Sequence, residues 1–126
     1  MSERVFMGAS AVVSVLFGII GATAAAPIAA AVGLGGEPTL VLAARLLSAS
    51  YIGYAVTDWM GRGTRDPVAR RAIRYGNFTG WALSFAASLV GTLLMGATTL
   101  GLVALALQGC FASGWGYVVF KRRDVT

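Results

Sequence analysis

Four long apolar runs, separated by three more polar or glycine-rich stretches, make up this chain. The first extends from Val5 to Val32 after a short polar start, Met1-Ser-Glu-Arg4. As a single helix it would be about 42 Å long at 1.5 Å per residue. That exceeds the ~30 Å hydrocarbon core of a bilayer, so such a helix has to tilt, kink or emerge. Pro27 is the predicted kink, because it lacks an N–H and crowds the preceding turn. Ala24-Ala25-Ala26, with Arg4 as the charged start before a hydrophobic stretch, also fits a signal-peptidase site. Gly33-Leu-Gly-Gly-Glu-Pro-Thr39 reads as a connecting loop. The second run, Thr39 to Met60, is interrupted by Arg45. Asp66-Pro67 predicts a helix start, with Asp as N-cap and Pro at the first helical position. From there a third run reaches Met95, Gly96 to Gly101 is a short uncharged turn, and a fourth run ends at Phe120.

Composition turns these runs into a class. Hydrophobic residues make up 57% of the 126 and charged residues 12%; a soluble domain carries roughly 25% charged residues. The expected fold is all-α, an integral membrane four-helix bundle in one domain, 1–126, with spans at about 5–32, 39–60, 70–95 and 97–120. The net charge of +5 is concentrated at helix ends and in the loop between the second and third runs, where Arg62, Arg65, Arg70, Arg71 and Arg74 lie. Short loops rich in Lys and Arg stay on the cytoplasmic side. With that loop inside, alternation puts both termini inside, with Lys121-Arg-Arg-Asp124 as the final anchor. Nine of the ten Lys and Arg then lie inside and only Glu37 charges the outer loops, a bias too one-sided for dual-topology insertion. Trp59, Tyr75, Trp115 and Tyr117 fall near the inner boundary, where amphipathic rings settle. The basic residues do not form one face of a soluble fold, so nucleic acid is not an expected partner.

Candidate chemistry is sparse. The chain has no His and a single Cys. Imidazole ligation of a metal or haem, Ser–His or Cys–His nucleophiles and an internal disulfide are therefore excluded. Cofactors are not expected, and the expectation is a non-enzyme. Arg45 stands about 9 Å inside the second span. A charge there marks a functional site or a side chain snorkelling to headgroups or to Glu37. Arg45 and Ser48 share one helical face and are the candidate contacts for a ligand or partner. Asp58, at the inner end of the same span, is expected to pair at the interface with Arg62 one turn on, or with the C-terminal cluster. Gln108, near the middle of the fourth span, calls for an interhelical hydrogen bond. Cys110 reads as a small buried packing residue.

Small residues supply the other signal. Gly76, Gly80, Ser84, Ala87 and Gly91 line one face of the third span, and Gly76 and Gly80 form a G-x-x-x-G pair. A shorter face on the fourth span includes Gly109, Ser113 and Gly116, and the first span adds Gly18, Ala22, Ala26 and Ala30. Such faces let backbones approach, either within the bundle or between copies.

The size is similar to that of small multidrug-resistance transporters and fluoride channels. The membrane Glu of the former and the Gly-rich Arg motif of the latter have no counterpart here. The run Leu42 to Gly53, with Trp59 and the loop Asp66-Pro-Val-Ala-Arg-Arg71, resembles uncharacterised small four-span bacterial membrane proteins; the resemblance covers about a third of the chain and implies no activity. Together these features lead to a non-enzymatic protein of the bacterial inner membrane, an accessory subunit of a membrane complex or a homo-oligomer. Its partners would be the lipid bilayer and other membrane subunits or itself. The alternative is a carrier or binding protein for a lipophilic molecule such as a quinone, lipid or carotenoid, or a small transporter.

The charge pattern makes a direct prediction. Fusion reporters at both termini and at Arg65 will report cytoplasm, and one at Gly36 the outside; an outside signal from residue 65 would overturn the topology.

Overall fold

The fold is all-α. A computed structural model describes residues 2–31 and 37–121. Its helices are α1 (Glu3–Thr23), α2 (Ala25–Ala31), α3 (Pro38–Gly61), α4 (Pro67–Met95) and α5 (Thr99–Lys121). All but the short α2 are long and apolar enough to cross a membrane. The chain divides into two compact units, residues 1–62 and 63–126.

The helix boundaries follow local chemistry. Ser2 caps α1 by accepting from the Val5 N–H. Asp66 caps α4, its Oδ1 accepting from the N–H groups of Val68 at 2.8 Å and Ala69 at 3.4 Å, with Pro67 in the first turn. This is the start expected from the sequence. Gly96 ends α4 at φ 93°, a conformation that side chains disfavour. Thr98 Oγ1 then accepts from the Gly101 N–H at 3.1 Å and opens α5. Most of the loop expected between Gly33 and Thr39 lies outside the described residues, as does the anchor beyond Lys121.

The first run is not one kinked helix. It breaks at Ala24, whose φ of −114° and ψ of 29° leave the helical region. The break sits just before Pro27 because the proline ring has no N–H for the Thr23 carbonyl and crowds it. Thr23 adds to the local strain on regular pairing, its hydroxyl donating back to the Ile19 carbonyl at 2.7 Å. The buried face of α1 carries on across the break at seven-residue spacing from Gly18. Ala25 and Ala29 are buried, whereas Ala26 and Ala30, expected to continue the small face of α1, are exposed.

In the N-terminal unit α1 packs antiparallel on α3, and α2 packs on α3 as well. The seam is built from small residues. A Cβ added at Gly18 would meet Ile52 Cγ1, and would lie 3.0 Å from the Ser48 carbonyl oxygen and 3.2 Å from the Ile52 nitrogen. One added at Gly21 would strike Ser48 Oγ. Ala11 and Ala55 are buried in the same unit, and Phe17 tilts against Tyr51 with ring centroids 5.4 Å apart. Arg4 Nε donates to the Arg62 carbonyl oxygen at 3.1 Å, joining the first turn of α1 to the end of α3.

The C-terminal unit solves the same problem with rings. Trp81 of α4 stacks on Phe111 of α5 at 4.8 Å, and Phe78 meets Phe120 edge-on at 5.4 Å. Phe85 and Phe78 lie over glycines. Added Cβ atoms at Gly109 and Gly116 would come to 3.1 Å and 3.2 Å of those rings.

Gly18→Ala and Gly21→Ala are expected to destabilise the N-terminal unit by about 1–3 kcal/mol, the usual cost of overpacking. Gly53→Ala, with nothing within 4 Å of the new atom, will be neutral or slightly stabilising. Denaturant titration in detergent reads the difference, and equal stability of the three variants would refute the close approach.

Candidate functional site

The candidate residues fall into separate places. Ser48 is buried in the α1–α3 seam, and its hydroxyl donates to the Ala44 carbonyl at 2.7 Å. Arg45, three residues earlier, is exposed, and it makes no hydrogen bond or ion pair with any described residue, Glu37 included. The helical face that carries both is therefore split. Ser48 serves the fold, its one donor already used by its own helix, while Arg45 is exposed, as are its sequence neighbours Leu42, Leu46 and Leu47 at 57–63%.

Asp58 does not pair with Arg62. It is fully buried, and the Arg62 guanidinium lies instead over the Trp59 ring, 3.4 Å from its centroid. A cation stacked on an indole face keeps its charge while covering apolar surface. The C-terminal cluster offered as Asp58's other partner begins at Lys121, whose ammonium sits over Tyr117 at 5.0 Å; its remaining residues lie outside the described ones. Trp59, Tyr75 and Tyr117 are exposed, but Trp115 is fully buried and belongs to the packing.

Two other polar expectations change. Gln108 is buried as the sequence implied, yet its side-chain oxygen has no hydrogen-bond partner among the described residues. The same is true of the Ser14 hydroxyl, whose residue is fully buried. Cys110 is exposed, not packed; a small apolar thiol tolerates a lipid-like surface as well as a core.

The small-residue face of α4 is only partly buried. Gly80, Ser84 and Gly91 are half-buried, whereas Gly76 and Ala87 are exposed. Added Cβ atoms at Gly76 and Gly91 would meet nothing within 4 Å. On α5, Gly109 lies under Phe85, and Ser113 is exposed.

A feature without a sequence signature is a wholly apolar groove of about 400 Å³ along α1 and α3. Val12, Val15 and Leu16 form one wall and Val56, Trp59 and Met60 the other, with Ala11 and Ala55 at its base. Valine, leucine and methionine read alike on any apolar helix. The groove arises from where two alanines meet between larger side chains, which is a property of the packed pair.

Arg45→Ala is expected to leave stability in detergent within about 0.5 kcal/mol of wild type. Ser48→Leu, which drives a branched chain into Gly21, will cost about 1–3 kcal/mol. A large loss in the Arg45 variant would reveal a structural partner for its guanidinium.

No protein-family model, curated protein sequence or solved structure matches the chain, so a functional reading rests on its own residues.

Proposed function

We propose that this is a non-enzymatic protein of the bacterial inner membrane, spanning it four times with both termini on the cytoplasmic side, and that it works by assembly, as an accessory subunit of a membrane complex or as a homo-oligomer. Membrane placement is supported by the four long apolar helices and by large side chains left outside on each of them, up to 80% exposed at Leu94. A water-soluble monomer rarely exposes contiguous apolar surface on that scale. Orientation is supported by the one-sided Lys and Arg distribution.

The observation that carries the assembly reading is the open space beside Gly76 and Gly91 on α4. The contacts between α4 and α5 run through Phe78, Trp81 and Phe85. A glycine facing lipid gains nothing over a larger residue and lowers helix propensity. A glycine facing another helix lets two backbones approach and gain dispersion energy that lipid does not supply. The stripe on α4 is thus suited to a helix from another subunit.

Gly76→Leu tests this. A Cβ added there meets nothing within 4 Å and Gly76 is exposed, so the monomer should melt at or slightly above wild type, Leu exceeding Gly in helix propensity by ~0.8 kcal/mol. Assembly, read by native mass measurement and by co-purification from native membranes, should weaken at least tenfold, about 1.4 kcal/mol, while Leu83→Ala leaves it unchanged. Wild-type assembly in the Gly76 variant would sink the reading.

A further inference from the structure

The apolar groove on α1 and α3 ends in cations. Trp59 forms part of its wall, and Arg62 is held over the Trp59 ring at 3.4 Å. Arg4 is tied by its Nε to the Arg62 carbonyl at 3.1 Å, which places a second guanidinium at the same end of the unit. The two acids nearby are buried, Glu3 7% exposed and Asp58 0%, whereas Arg4 is exposed and Arg62 half-buried, so the cations are the charged groups that reach the surface. The result is a slot with apolar walls and a positive mouth. Its α1 wall, Ala11 to Leu16, runs about 7.5 Å along the helix axis, roughly half the depth of one ~15 Å leaflet.

We infer that this groove seats an acyl chain of an anionic phospholipid from the basic-side leaflet, with the headgroup phosphate held by Arg62 and Arg4. An Arg guanidinium presents several donors in a planar fork that suits phosphate oxygens, and a stacked guanidinium is already oriented. A second copy of this chain is a poorer occupant. Inserted with the same topology, it brings its own Arg4 and Arg62 against these, and like charges repel. The inference rests on the membrane placement proposed above and not on the assembly reading.

Trp59 is the probe. Full-length protein is reconstituted in vesicles of zwitterionic phosphatidylcholine with a minor fraction of either brominated-chain phosphatidylglycerol or brominated-chain phosphatidylcholine. Quenching of Trp59 is taken as the difference from Trp59→Phe, since Trp81 and Trp115 are buried. The expected result is a five- to tenfold preference for the anionic lipid, the scale set by one or two cations at an anionic surface, and its loss in Arg62→Gln. Equal quenching by the two lipids would mean an unselective lipid annulus and overturns the inference. So does absence of quenching by either, which means that protein covers the groove. Both of these outcomes are read from the wild-type protein and hold even if the Arg62 variant fails to fold. Leu46→Trp in the Trp59→Phe background reports from a 63% exposed position on α3. If that residue is quenched by neither lipid, the membrane placement itself fails, and the inference with it.

Discussion

The N-terminal unit depends on how closely α1 and α3 approach at Gly18, Gly21 and Ser48. The contact works because the serine behaves as a small apolar residue: its hydroxyl is satisfied by the Ala44 carbonyl of its own helix, so it needs nothing from α1 and can lie against a glycine. Two consequences follow from that approach. The helix ends come into register, bringing Arg4 to the carbonyl of Arg62. And the alanines at positions 11 and 55, too small to fill the space between larger neighbours, leave the floor of the groove. A methyl group added at the glycines would be felt at both places, since packed helices move as rigid bodies and transmit displacement.

The C-terminal unit reaches close packing from the opposite composition. Phe78 and Phe85 of α4 are received by Gly116 and Gly109 of α5, so ring area, not backbone proximity, supplies the contact. Aromatic pairs add about 0.5–1.5 kcal/mol beyond their buried area, and the Trp81–Phe111 stack is one of these. This choice bears on function. Where the rings take the contact with α5, the space beside Gly76 and Gly91 stays open and is available to another helix.

Much of the fold was legible because it is fixed by solvent-scale physics. The apolar runs gave the helices, and Asp66-Pro67 gave the start of α4 to the residue, since capping is local. The first run misled at its end. Pro27 was the right disruptor, but whether a proline bends a helix or breaks it depends on the neighbours that receive the freed carbonyls, and a strict four-residue spacing from Gly18 drifted off the buried face that Ala25 and Ala29 continue. The candidate site was less legible. Spacing placed Arg45 and Ser48 on one face but not the boundary that runs between them, because that boundary belongs to α1. Asp58 and Arg62, at ideal helical spacing for a pair, go different ways: the carboxylate is buried and the guanidinium lies on the Trp59 ring. Cys110 and Trp115 exchanged the expected positions: the thiol is exposed and the indole buried.

The distribution of charge at the helix ends follows two rules that agree at some ends and conflict at others. A helix C-terminus favours cations and an N-terminus anions, by about 0.3–1 kcal/mol each at exposed sites. Arg4 satisfies the first at the end of α3 by binding the Arg62 carbonyl, and Lys121 does so in the last turn of α5. Glu3 satisfies the second in the first turn of α1. Arg4 itself stands in the first turn of α1, against the second rule, with Glu3 beside it. In α4, Arg70 ends the first turn against the dipole, while Arg71 and Arg74 lie further along, beyond its reach. Asp66 answers there with two backbone hydrogen bonds from one carboxylate oxygen, a cap worth roughly 1 kcal/mol. The same cap fixes where α4 begins, so the segment with the densest positive charge keeps a regular helix start.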